Sequence, residues 1–312
     1  MGRKKTAGKS KSVAPIAAPV GGTQSSVAAP TAAIRGVVQK TFIPVRILSG
    51  FTDQNHLEQL TGEYLATLGS AAAQKIRDDA EASRQFVATL SAAPPGPVVV
   101  RQIQSQHIAG IQSDPLFQES FGRRQHQFAM IDVRNVIAQQ PWIEPRADPI
   151  PADADELIAF ALPNNWEVPA EVSFIPPQGP IQILTSSPSM QGVRLEFDAA
   201  TATVKLGAPK HLNLVQVTQF AGRYFLMNGY HRVTDAIAAG TFELPALVTE
   251  GAALQDIQLP GVGPFSAGFI LSMPRPPLVS DFGTAASLLA KIRERRYGMM
   301  IDLTLRQLVI GI

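Results

Sequence analysis

The chain contains no cysteine among its 312 residues, only two tryptophans and four tyrosines, and few charges, at 17% of positions. Without cysteine there are no disulfides, no thiolate nucleophile and no zinc–sulfur site, an absence that fits cytoplasmic residence. No run approaches 18 apolar residues, so no transmembrane helix is expected. There is no Gly-x-Ser-x-Gly elbow and no His-Glu-x-x-His pair. The glycines at 261, 263 and 268 lack the Lys-Ser/Thr of a phosphate loop. Five histidines lie far apart, so no catalytic triad is visible by spacing. Proline and glycine are plentiful instead, at 25 and 24 copies, which points to many turns. A hydrophobic share of 45% over this length is enough to bury a sizeable core.

Charge is uneven. Residues 1–12 carry Arg3, Lys4, Lys5, Lys9 and Lys11 and no acid. The whole chain is +2, so the rest carries −3 and is slightly acidic. The pI near 8.9 therefore does not describe a basic nucleic-acid-binding surface. Residues 1–33, rich in Ala, Pro, Ser, Gly and Lys, read as a disordered basic tail. Pro15, Pro19 and Gly21-Gly22 interrupt any signal-peptide core. Met1-Gly2-Arg3-Lys4-Lys5-Thr6 fits the loose myristoylation pattern, and the basic cluster offers a weak route to nucleic acid or an anionic membrane.

Residues 34–97 read as a helical region. Asp53 is placed to cap a helix, and Leu57, Leu60, Tyr64, Leu65 and Leu68 recur at helical spacing. The pattern resumes through Ala72, Ile76, Ala80, Phe86 and Leu90 as a hairpin or bent helix, until Pro94-Pro95-Gly96-Pro97 ends it. Residues 98–312 read as a mixed α/β domain. Strands are expected at Val98–Val100, Phe128–Val136 and Leu214–Thr218, with a hairpin from Val193–Asp198 to Thr201–Leu206. Asp153, Asp155 and Glu156 suit the start of a helix at Ala154–Phe160 better than a metal site. Ala285–Tyr297 reads as a helix with Leu288, Leu289 and Ile292 inward and a basic end at Arg293, Arg295 and Arg296. Ile301–Ile312 reads as a docked terminal element.

Residues 222–248 are the most informative. Tyr224-Phe225-Leu226-Met227 suits a buried strand, Asn228-Gly229 a turn, Val233–Ala239 a helix closed by Gly240, and Leu244–Val248 a second strand with Pro245 at its start or on an edge. A strand, a glycine turn and a helix aim main-chain N–H groups and the positive helix end at one point. His231 and Arg232 stand there, a place suited to an anion and above all to phosphate. Arg123-Arg124-Gln125-His126 offers further phosphate contacts or a solvated surface.

This stretch resembles the ParB/sulfiredoxin-like fold family. Asn228-Gly229-Tyr230-His231-Arg232, Ala236, Gly240 and Leu244-Pro245 match its strand–turn–helix–strand unit in order and spacing. Ile131-Asp132-Val133 through Gln140-Pro141-Trp142-Ile143-Glu144-Pro145-Arg146 is loosely similar to its first strand and Gln-Pro-Arg loop. The resemblance implies an α+β fold with its core at about 128–250 and a turn that binds nucleotide phosphates. Asn228, Gly229, Tyr230, His231 and Arg232 would be ligand-binding, with a nucleotide, alone or with Mg2+, as cofactor. Were the protein an enzyme, phosphoryl or nucleotide chemistry would follow, with Arg232 stabilising charge and His231 as phosphate ligand or acid/base. The chain departs from the family in three ways: it has no cysteine, no helix-turn-helix after Val248, and a long Pro-rich stretch between Pro149 and His211. The alternative is a non-catalytic interaction or structural protein that keeps the fold. In it Tyr230 and His231 decorate a turn and Arg232 pairs with a carboxylate.

Overall fold

The computed structural model describes residues 41–91, 98–166, 212–257, 259 and 265–294. It also gives, as backbone, five strands within 171–207 and 297–301. The N-terminal tail reading, the Pro94–Pro97 stop and the element after Ile301 fall outside the described residues.

The chain enters through β1 (Phe42–Ile47), followed by α1 (Gln54–Leu65) and α2 (Ser70–Thr89). The expected helical hairpin is present, and Asp53 caps α1 by accepting from the His56 amide at 2.7 Å. Its inward face is Leu57, Thr61 and Leu65, while Leu60 is only partly buried. The hairpin covers a three-stranded sheet of order β12-β1-β4, made with β4 (Trp142–Ile143) and β12 (Leu288–Arg293). Leu57 and Ala80 pack there with Val45, Ile47, Leu288, Ala290 and Ile292. So 34–97 is not helical throughout. Its first described element is a strand whose partners come from far along the chain.

The expected helix at Ala285–Tyr297 is also a strand over Leu288–Arg293, and that reading is corrected. Its side chains alternate between buried and exposed, and Ile47↔Leu288 through Phe42↔Arg293 pair antiparallel. Leu288 and Ile292 lie four apart, which fits both periods. The edge of β1 decides for the strand.

The second sheet has the order β10-β9-β11-β3-β2. Its strands are β2 (Val99–Gln102), β3 (His126–Asp132), β9 (Gln216–Phe220), β10 (Arg223–Asn228) and β11 (Glu243–Glu250). Around it run α3 (Gln106–Ser113), α4 (Pro115–Phe121), α5 (Ala154–Ala161), α6 (Tyr230–Ala238) and α7 (Ala267–Ser272). β9 and β10 form a hairpin. The crossover through α6 brings β11 parallel to β9 and antiparallel to β3, so the sheet is mixed. Pro245 sits inside β11, but pairing with β9 begins only at Leu247, so that side of Pro245 is locally an edge. Phe225, Leu226, Val233, Ala236, Leu244 and Leu247 fill the core between the sheet and its helices.

The Pro149–His211 stretch carries β5 (Glu171–Phe174), β6 (Ile181–Thr185), β7 (Arg194–Asp198) and β8 (Thr203–Gly207). β7 and β8 pair antiparallel as the expected hairpin, and β13 (Tyr297–Ile301) pairs with β6. Among the described residues no helix is long and apolar enough to cross a membrane.

Candidate functional site

β10 delivers the chain to α6 through Asn228 and Gly229. Asn228 Nδ2 donates to the Leu212 carbonyl at 3.1 Å and its Oδ1 accepts from the Gly229 amide at 2.8 Å. Gly229 has φ +91°, and a Cβ there would stand 2.9 Å from Val215 Cα and Cγ2. Both the left-handed backbone and the close approach therefore require glycine. α6 begins at Tyr230, not at Val233 as the sequence suggests, so Tyr230, His231 and Arg232 form its first turn. Thr234 Oγ1 closes that turn by donating to the carbonyls of Tyr230 and His231. Gly240, at φ +79°, ends the helix as expected, with its amide on Ile237 O and the Thr241 amide on Ala236 O.

Each side chain of the turn has a distinct place. Tyr230 is buried, its hydroxyl donating to Leu226 O at 3.0 Å and accepting from the Gln139 amide at 2.6 Å. Burial pushes its phenol well above the usual range, so it stays neutral and braces β10 against the segment before β4. Arg232 spreads its guanidinium over three oxygens: Ala161 O at 2.8 Å, Asn213 O at 2.9 Å and Asn213 Oδ1. Its partners are thus main-chain and amide oxygens, not the carboxylate of the alternative reading. Burial first, then the nearby charge of Arg146, brings its pKa down to about 10, with Asp148 opposing. Among the described residues, neither Arg146 nor Arg232 has a carboxylate at ion-pair distance.

His231 is half-buried. Burial, and after it Arg146, holds its imidazole below the usual value, against a main-chain hydrogen bond at Glu144 and the charges of Glu144 and Asp235. Asp235, one helical turn on, is buried, and burial raises its carboxyl pKa in spite of a main-chain hydrogen bond from Asp148. The segment after β4 thus supplies the charges of Glu144, Arg146 and Asp148 felt at the first turns of α6, and Arg146 is exposed.

Glu144 and Arg146 come from the stretch that loosely matched the family loop. Asp148, Asn213 and Asp235 were not foreseen. Asp235 was legible, because the i, i+4 spacing from His231 sets both on one helix face. Asn213 acts through its main-chain and side-chain amide oxygens, which leaves no sequence signal. Arg123 and Arg124 stand exposed before β3, and the charges felt at His231 and Arg232 are those of Glu144, Arg146, Asp148 and Asp235. The His126 ring packs against Phe117 and Phe128. Asp153 caps α5, accepting from the Asp155 and Glu156 amides. Among the described residues no three His, Asp or Glu side chains are grouped to hold a metal ion. No protein-family model, curated protein or solved structure matches the chain.

Proposed function

We propose that the chain is a ParB/sulfiredoxin-like protein that binds a nucleotide or another phosphate-bearing ligand at the Gly229–Arg232 turn. One observation carries this reading. The exposed Arg146 is a positive charge felt at the N-terminal turn of α6, where it lowers the pKa of both Arg232 and His231. Two guanidiniums at the positive end of a helix repel each other, and a doubly charged oxyanion between them relieves that repulsion. The glycine at positive φ and the order strand, helix, glycine, strand support the same reading. In it the exposed Arg146 meets the anion, Arg232 supplies fixed positive field, and His231 stays a neutral imidazole beside them. Phosphoryl or nucleotide chemistry is the reaction class such a site would serve.

A second reading has its own observation. Tyr230 and Arg232 are already engaged by Leu226, Gln139, Ala161 and Asn213, as in a turn kept for packing alone. A thermal-shift screen of nucleotides, followed by calorimetric titration, separates the two. Arg146→Ala, at an exposed position, should leave the melting temperature in place and weaken binding about ten- to a hundred-fold, the worth of a charge-assisted contact. If no nucleotide binds the wild type, the turn is a structural joint and the second reading holds.

A further inference from the structure

The sheet of β12, β1 and β4 has one face under the helical hairpin, where Val45, Ile47, Leu288, Ala290 and Ile292 are buried. Opposite residues of an antiparallel pair share a face. On the face turned away from the hairpin, Phe42↔Arg293, Pro44↔Lys291 and Arg46↔Leu289 therefore form three rows. Along β12 the alternation is strict, with Leu289, Lys291 and Arg293 exposed. Leu289 is 60% exposed, the most of any large apolar side chain among the described residues. Pro44 is exposed as well, and Phe42 and Arg46 are half-buried. Each row sets one cation beside one apolar side chain. No acid stands among the six, although the chain outside its basic first 12 residues is slightly acidic.

A lysine on an edge strand deters pairing with another chain, and the open face of an antiparallel sheet is commonly polar. Neither role places Leu289, Pro44 and Phe42 beside the cations. Successive rows lie two residues apart, about 6.8 Å along the strands. That is close to the phosphate repeat of an extended polynucleotide. We propose that this face binds single-stranded nucleic acid, with phosphates on Arg293, Lys291 and Arg46 and bases over Phe42, Pro44 and Leu289. The Phe42 ring is steadied by Tyr64 of α1, the ring centroids 5.6 Å apart. Arg46 is held by one bond, from Nη1 to the Phe282 carbonyl at 3.3 Å, and a guanidinium has further N–H groups to offer. Arg293 meets Glu63 at 3.4 Å in an ion pair half exposed on both sides, which a phosphate displaces at small cost. An anionic membrane shares the charge, but it needs apolar side chains to insert, and only Leu289 projects as a large one. The assignment is independent of the turn at Gly229–Arg232.

Fluorescence anisotropy of the full chain with labelled oligo(dT) and oligo(U) of about 12 nucleotides, a usual single-strand site size, tests the face. The two probes separate DNA from RNA as the source of the strand. Lys291→Gln and Arg293→Gln should each weaken binding several-fold and make the plot of log affinity against log salt shallower by about 0.7. Leu289→Thr should weaken binding and leave that slope unchanged. Glu63→Gln removes the carboxylate that competes for Arg293 and should tighten binding, an effect that no purely structural role produces. Lys75→Gln, at an exposed cation on α2, should change nothing. These side chains are exposed, so melting temperatures should stay in place. Every variant keeps the basic cluster of residues 1–12. Binding whose slope is the same in Lys291→Gln and Arg293→Gln as in the wild type therefore places the site elsewhere and overturns the proposal. Absence of binding at low salt, or equal affinity for a duplex of the same length, also overturns it. So does Lys291-dependent binding to vesicles of phosphatidylserine and phosphatidylcholine with no binding of either oligonucleotide, which would assign the face to a membrane.

Discussion

Arg232 and Ala161 are 71 positions apart in the chain, and Arg232 Nη1 donates to the Ala161 carbonyl across 2.8 Å. Ala161 is the last residue of α5, where carbonyls have no intrahelical donor and a cation is favoured. The same carbonyl also accepts from the Val215 amide. With Asn213 as its second partner, Arg232 fastens both ends of the long excursion between α5 and β9 to the first turn of α6. The side chain that the sequence marks as a ligand cation therefore has a structural task as well.

Arg232→Ala should lower stability by roughly 1.5–3 kcal/mol, the range for hydrogen bonds made by a charged group. Arg232→Lys should recover only part, because a point charge cannot reach Ala161 and Asn213 together. Urea denaturation of the three proteins measures this. A loss under about 0.5 kcal/mol for the Ala variant would show that the pin contributes no stability.

Gly229→Ala and Gly240→Ala should differ. Both glycines have positive φ, but a Cβ at 229 meets Val215 and one at 240 meets nothing within 4 Å. Gly240→Ala should cost about 1–2 kcal/mol for the left-handed backbone alone. Gly229→Ala adds overpacking of about 1–3 kcal/mol. Equal melting temperatures for the two variants would show that Val215 yields without cost.

In the helical hairpin, Leu57 is fully buried and Leu60 partly so. Leu57→Ala should cost roughly 2–5 kcal/mol, and Leu60→Ala clearly less. Denaturant midpoints rank them. The reverse order would place the packing face one position away from Leu57-Thr61-Leu65.

Asp235 and His231 should bend the pH–stability curve in opposite senses. The folded Asp235 carboxyl holds its proton more tightly than the unfolded chain does. Its contribution therefore rises as pH falls through the folded-state pKa, and is complete below the ordinary value of 3.8. The His231 pKa is lowered, so its contribution is lost as pH falls from the ordinary 6.5 through the folded-state pKa. Asp235→Asn should raise stability at pH 7 and remove the first slope, and His231→Gln should remove the second. Denaturation series between pH 4 and pH 8 read both. An Asn variant less stable than wild type at pH 7 would contradict the burial cost assigned to Asp235.

Elements whose signals are local are legible in the order of residues. Asp53 and the Leu57 stripe specify the hairpin of α1 and α2. Asn228-Gly229 and Gly240 bracket α6, and the alternation in Arg194–Asp198 marks a hairpin strand. Caps, left-handed glycines and short periods act within a few residues, so no knowledge of the rest of the chain is needed. The tertiary structure alone decided that Leu288–Arg293 is a strand, because its apolar spacing fits two periods and the partner edge belongs to β1. It also decided the roles at the turn. His231 and Arg232 could be singled out from their neighbours in sequence. That Arg232 would be spent on Ala161 and Asn213, and that His231 Nδ1 and Asp235 Oδ2 would be buried without a hydrogen-bond partner, depends on main-chain oxygens and burial. Every residue carries the same main-chain groups, so only the folded path of the chain shows which of them meet.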